Sequence, residues 1–181
     1  MNLNLLCFCL LGIMIATARG QLGESPDQCD QRYGSNAVDK GAQGCWMAAR
    51  EYTQGDFLIN VRFLTNSMGT KVAGWISYAP AAGIKPNAGE RQKIREAAST
   101  AWTPVEETVI TDEMDPQLHE MAKIHNEFVA VTKATFAQVT GWNTMRCWIS
   151  PTIYAADNGV SLILFTEAYL AQHKLQQGQK H

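Results

Sequence analysis

The sequence predicts a single α+β domain in which an antiparallel β-sheet is covered by helices packed on one face. Three features lead to this prediction: an alternating apolar strand at 57–64, turn residues that return the chain into a second strand, and helix-capping residues on either side of this hairpin. Apolar residues make up 46% and charged residues 18% of the 181-residue chain, a composition that excludes a disordered protein. The formal charge of −2, without a basic stripe, argues against nucleic-acid binding.

Residues 1–20 have the features of a secretory signal peptide. The apolar stretch from Leu3 to Ala16 contains no charged residue and is shorter than the roughly 20 residues that span a membrane. Small residues follow it, and they fit cleavage before Arg19 or before Gln21. An uncleaved N-terminal anchor is the alternative. We therefore predict an exported protein, periplasmic or extracellular, with no stable membrane insertion after cleavage.

The mature chain is predicted to form one domain over 21–175, with a helical insertion at 112–142 and a flexible tail at 176–181. No internal segment has the composition of a linker. Three cysteines remain after cleavage, namely Cys29, Cys45 and Cys147. In an oxidising compartment they form one disulfide and a leftover thiol, or stay three buried thiols, and the sequence does not rank the pairings.

The first element is a short helix. Ser25 and Gln28 form a capping box around Pro26, a residue that suits the first helical turn, and Gly34 ends the helix. A loop is predicted over 35–44.

A three-stranded antiparallel meander follows. Its first strand is predicted at residues 45–53, and a tight turn at Gly55-Asp56 follows it. In the next strand the residues expected to share a buried face are Phe57, Ile59, Val61 and Phe63. The turn at 65–70 leads to a return strand in which Trp75 is expected on the face opposite to Val72, Ile76 and Tyr78.

The second half begins with a helix capped by Asn87 and Glu90. A strand is predicted at 105–111. A long helix then runs from Pro116 to Val139 and ends at Gly141. Its predicted apolar positions are Leu118, Met121, His125, Phe128, Thr132, Phe136 and Val139.

The last elements are a hairpin and a helix. Residues 144–156 and 159–166 are predicted to pair around the turn Asp157-Asn158-Gly159. Thr166 then caps a final helix.

No motif indicates catalysis. His119 and His125 are six residues apart, whereas a helical zinc-peptidase motif needs a spacing of four. The acidic residues at 106–115 lack the ligand pattern of a calcium loop. We therefore predict no catalytic residue, no cofactor and no metal.

A binding surface is predicted on the sheet. Trp75, Arg62 and Leu64 are expected on the face opposite the core, where Trp75 would be half exposed. Exposed aromatic residues on a sheet are typical of interfaces, so these three residues form the predicted binding surface. For the tryptophans as a set, core packing is the favoured interpretation and a binding surface is the alternative.

The chain resembles a group of uncharacterised small exported bacterial proteins. The resemblance rests on Arg32-Tyr33-Gly34 at a helix end, on the aromatic hairpin over 57–78, and on 162–170, which is similar to a terminal strand reading L-x-I-F-T-x-x-Y. Segment 112–142 departs from that pattern. The helix-then-meander plan is also similar to the α+β modules of outer-membrane assembly lipoproteins and β-lactamase-inhibitor proteins. These likenesses imply a fold and no activity.

The leading functional prediction is an exported non-catalytic protein. It would bind a macromolecular partner, such as another envelope or extracellular protein, or assist the cell envelope. The alternative is a hydrolase whose site uses Asp, Glu and His side chains within 106–125.

Overall fold

The computed structural model describes residues 22–42, 48–82, 84 and 87–178. The predicted signal peptide, Cys45 and Trp46 lie outside the described residues. Within these ranges the chain forms four helices and one eight-stranded antiparallel sheet, so the predicted α+β class is confirmed. None of the helices in these ranges is both long enough and apolar enough to cross a membrane.

The elements divide between the two halves of the chain. The first half contains α1 (Pro26–Tyr33), β1 (Val38–Asp39), β2 (Ala48–Gln54), β3 (Phe57–Thr65) and β4 (Lys71–Pro80). The second half contains α2 (Ala88–Ala98), β5 (Thr103–Pro104), α3 (Pro116–Thr140), β6 (Arg146–Ile149), β7 (Ile153–Asp157), β8 (Leu162–Thr166) and α4 (Glu167–Gly178).

The strands lie in the order β1-β2-β3-β4-β8-β7-β6-β5, and every neighbouring pair is antiparallel. The two halves meet at the β4–β8 ladder, where Trp75 pairs with Phe165 and Tyr78 with Leu162. The strands at the two edges contain only two residues each. Such short edges leave little backbone free to pair with another chain.

The helices pack against both faces of the sheet, which corrects the prediction of helices on one face. On the first face, α1 and α2 contribute Cys29, Tyr33 and Ile94 to a core with Val61 and Ile76. On the second face, α3 and α4 contribute side chains to a separate core, among them Val129, Phe136 and Tyr169. The prediction failed because it assumed that the sheet has one buried face. Strand β8 is apolar at every position from Leu162 to Phe165, which is the pattern of a strand buried on both faces.

The predicted helix starts are confirmed. The Ser25 hydroxyl accepts from the Gln28 amide at 3.3 Å, and the Gln28 side chain accepts from the Ser25 amide at 2.8 Å. Asn87 and Glu90 form the same reciprocal pair at α2. At α4 the Thr166 hydroxyl accepts from the Tyr169 amide at 3.1 Å. Each box satisfies amide groups that lack a partner within the first helical turn.

The β3–β4 hairpin follows the predicted register except at one point. Ile59, Val61 and Phe63 are buried on the first face, as predicted. A β-bulge lies opposite Arg62 and Phe63, which pair with Trp75 and Ala73 and leave Gly74 between them. The extra residue reverses the side-chain alternation. Val72 therefore packs on the second face, and the prediction that it shares a face with Ile76 is wrong.

Two further strand predictions need correction. Residues 105–111 form no strand, because the short β5 ends at Pro104, just before them. Val109 in this segment is 78% exposed. The strand predicted at 144–156 is divided into β6 and β7 by a turn containing Pro151, a residue that cannot donate to a sheet ladder. Helix α4 continues to Gly178, into the segment predicted as a tail.

Candidate functional site

The predicted binding surface is largely covered. Trp75 is 6% and Leu64 5% exposed, and both belong to the core beneath α3 and α4, so the expectation that they face solvent is wrong. Arg62 is half-buried. Its guanidinium lies 4.2 Å from the centre of the Trp75 ring, close enough for a cation–π contact. The indole is thus a packed platform beneath Arg62 and not an exposed aromatic residue.

The Trp75 indole is the first ring in a column of stacked aromatic side chains. The rings of Trp75 and Tyr169 lie 6.4 Å apart at 21°, and those of Tyr169 and His173 lie 6.4 Å apart at 12°. Arg62 Nη1 also donates to the Tyr169 hydroxyl at 3.4 Å. The column ties α4 to β3 and β4, and it explains why the Trp75 indole is covered.

Beside the column the sheet is open, as a groove of about 350 Å³ lined by Lys40, Ala49, Glu51, Asn60, Arg62 and Trp75. Its charges are largely matched, because Lys40 and Glu51 form an ion pair at 2.9 Å. Within the described part of the chain, Trp75 Nε1 is buried and has no hydrogen-bond partner. A second groove, of about 270 Å³, is lined by Tyr33, Asn36, Val38, Glu51, Tyr52 and Thr53. Neither groove contains a residue of 106–125.

Helix α3 carries five large exposed apolar side chains, more than any other described element. It is anchored by three buried residues seven positions apart, namely Ala122, Val129 and Phe136. Phe136 packs in edge-to-face geometry on Phe165, with ring centres 5.0 Å apart. Beside this anchoring line lies a row of exposed apolar residues: Leu118 (56%), Met121 (66%), Ile124 (67%), Phe128 (54%) and Val131 (67%). These five residues are called the α3 stripe below.

The apolar positions that predicted α3 do not all face the sheet. Leu118, Met121 and Phe128 are exposed, whereas Phe136 is buried. The apolar sector of this helix is wider than the side that touches the sheet. A wide apolar sector is what a helix with two contact surfaces shows.

The segment before α3 is tied along the helix by polar contacts. The Thr108 amide donates to the Asn126 side chain at 2.7 Å, and the Asn126 side chain donates to the Thr108 carbonyl at 2.9 Å. His125 Nε2 lies 3.0 Å from the Glu106 carbonyl oxygen. These contacts replace the strand ladder that was predicted there.

The titratable side chains in 106–125 do not converge on one point. His125 contacts a backbone carbonyl, while His119 lies 3.9 Å from Glu120 at the surface. In the ranges that the structure describes, no group of three or more His, Cys, Asp or Glu side chains could hold a metal ion.

Comparison with protein-family models, with curated proteins and with solved structures found no match to this chain.

Cys29 and Cys147 are buried free thiols. Burial raises the pKa of Cys29 to about 12 and that of Cys147 to about 11, so both remain protonated at neutral pH. A protonated thiol is a poor nucleophile. These cysteines act as apolar core residues.

Proposed function

We propose that this chain is an exported, non-catalytic protein that binds a protein partner through the α3 stripe. The observation that supports the proposal is a row of five large apolar side chains, each more than half exposed, beside the line of residues that anchors α3 in the core. Contiguous exposed apolar surface marks interaction sites in soluble proteins. The partner is an envelope or extracellular protein.

The partner segment is an amphipathic helix with basic residues beside its apolar face. Met121, Ile124, Phe128 and Val131 follow one another at intervals of three, four and three residues, the spacing of a helix–helix seam. In that register Glu120 and Glu127 occupy the flanking position on one side, and both are exposed. Glu120 is also paired with Lys123 at 2.8 Å, so Glu127 is the stronger point of attraction for a basic partner. Basic flanking residues on the partner would complement these carboxylates. The same carboxylates disfavour an anionic membrane surface.

Export rests on the N-terminal sequence. The uncharged apolar stretch at 3–16 and the small residues after it support cleavage before Arg19 or Gln21. The mature protein then acts in the periplasm or outside the cell.

The test uses two synthetic helical peptides and the purified mature chain. Both peptides have Leu and Ile at the seam positions; one has Lys and the other Glu at the flanking positions. Fluorescence anisotropy measures binding to the wild type, to Phe128→Gln and to a matched control, Ala130→Gln, which changes an exposed residue on the far side of α3. We expect the Lys peptide to bind, and Phe128→Gln to weaken binding about tenfold. Ala130→Gln should have no effect.

Three results would contradict the proposal. The first is equal weakening of binding by Phe128→Gln and Ala130→Gln, and the second is equal binding of the Glu peptide and the Lys peptide. The third is that light scattering or flotation with phosphatidylcholine vesicles shows self-association or lipid binding that Phe128→Gln abolishes. That result would assign the α3 stripe to a second copy or to lipid.

A further inference from the structure

Arginine side chains gather at one corner of the sheet, away from α3. Arg91 and Arg95 lie one turn apart on α2, and Arg146 begins β6. Arg91 Nε donates to both carboxylate oxygens of Asp157 at 3.2 Å, and the Arg91 and Asp157 side chains are 3% and 6% exposed. Arg146 Nη2 lies 3.6 Å from the same carboxylate, across the β6–β7 ladder. One carboxylate thus faces two guanidinium groups.

The third guanidinium lies beside Trp148. Arg95 Cζ is 3.9 Å from the centre of the Trp148 ring, and Arg146 Cζ is 5.7 Å from the same centre. Arg95 Nε is buried and has no hydrogen-bond partner among the described residues. A buried donor without a partner calls for an explanation, and a bound ion or water is one of the usual ones.

The charges at this corner do not balance. Among the described residues, three guanidinium groups lie at this corner, but only those of Arg91 and Arg146 face the buried carboxylate of Asp157. The nearby Glu96 is exposed and accepts from Gln92 at 2.7 Å. Desolvation lowers the pKa of Arg95, Glu96 opposes this shift, Arg146 lowers the pKa further, and Asp157 raises it. The excess is local, because the chain as a whole has a formal charge of −2.

We infer that this corner binds a phosphate group, with Arg95 and Arg146 as its ligands beside Trp148. Guanidinium groups present paired donors that match phosphate oxygens. A phosphate anion offsets the positive charge that Asp157 and Glu96 leave unbalanced at this corner. Asp157 has a positioning role, because it fixes Arg91 and orients Arg146 from the β7 end of the ladder. The phosphate is free or belongs to a monoester, and the site is separate from the α3 stripe.

The test is a titration with inorganic phosphate, followed by two-dimensional NMR of the Trp148 indole and Arg95 Nε signals. Trp148→Phe and Arg95→Lys assign these signals. Sodium chloride at matched ionic strength is the reference, because screening alone shifts exposed charges. We expect saturable shifts at both signals, and a dissociation constant about tenfold higher in Arg146→Gln. Arg146→Lys should fall between, since it keeps the charge and loses the paired donors.

The control is Lys71→Gln, which removes one positive charge from an exposed position on β4. It should bind phosphate as the wild type does. Methyl phosphate distinguishes the two sources: equal or tighter binding indicates a monoester site, and binding of inorganic phosphate alone indicates the free ion. Shifts that do not saturate, that chloride reproduces, or that survive in Arg146→Gln overturn the inference. Because the Arg146 side chain is 64% exposed, its variants are expected to fold.

Discussion

The side chain of Leu64 fills the space in which a β-carbon at position 74 would lie. A methyl group built on Gly74 would be 2.9 Å from Leu64 Cγ and 3.6 Å from Tyr169 Cβ. Gly74 is the bulge residue of β4, and its φ is not positive. The glycine is therefore required by space and not by backbone conformation. This close approach lets α4 lie against the bulge.

Gly74→Ala should destabilise the protein by about 1–3 kcal/mol, because Leu64 is 5% exposed and has little room to move. Chemical denaturation of the wild type, Gly74→Ala, Leu64→Ala and the double variant checks this. We expect Leu64→Ala to be less damaging in the Gly74→Ala background than in the wild type. Purely additive effects would show that the two residues do not compete for space.

Val61→Asp should destabilise the fold by several kcal/mol, since Val61 is fully buried in the first core. Thr53→Asp is the matched control, because it places the same charge at an exposed position of the neighbouring β2. Its effect should stay below about 1 kcal/mol. Arg62→Asp is not a neutral control, as it removes the contact with Trp75. Similar melting temperatures for Val61→Asp and Thr53→Asp would refute the register.

Phe136→Ala should cost about 3–5 kcal/mol, because this ring is 1% exposed and contacts Phe165 and Tyr154. Phe128→Ala, two turns earlier on α3, should change the free energy of unfolding by no more than about 0.5 kcal/mol. Thermal denaturation compares the two variants. A larger loss for Phe128→Ala would mean that the α3 stripe is packed within the protein.

The protein should lose stability in alkali. Burial, with a smaller contribution from Glu24, raises the pKa of Cys29 from 9.0 to about 12, and burial also raises the pKa of Tyr33 and Tyr78. The unfolded chain releases these protons first, so the free energy of unfolding is unaffected below pH 9 and falls between 9 and 12. Urea denaturation across this range should show a shallower fall for Cys29→Ala. If the free energy of unfolding falls as steeply with pH in Cys29→Ala as in the wild type, Cys29 is not a cause of the alkaline loss of stability.

Local signals in the sequence were sufficient for several elements. The Ser25–Gln28 and Asn87–Glu90 boxes depend only on residues within one turn, and the alternation in β3 needs only a strand with one buried side. These elements formed as predicted because their determinants are close together in the chain.

Other features depended on tertiary contacts that no local pattern encodes. The glycine at 74 gave no sign of a bulge, because its role depends on Leu64 and Tyr169. Burial of Trp75 depends on α4, which lies some 90 residues later and stacks Tyr169 on the indole. The α3 stripe was visible as apolar residues, but the sequence did not show which side of the helix meets the sheet.

The strand order β1-β2-β3-β4-β8-β7-β6-β5 has a consequence for the origin of the fold. Each half places one helix on the first face and then adds four strands, and the last strands of the halves pair antiparallel at the centre. Counted outwards from the β4–β8 ladder, both units have the same strand order, from the last strand of the unit to the first. If the chain ended after β4, the edge of β4 that now pairs with β8 would be unpaired. A second copy of that shorter chain would then have an edge with which to form a homodimer. Helices α3 and α4 are present only in the second unit, so the surface proposed for partner binding belongs to the part in which the two units differ.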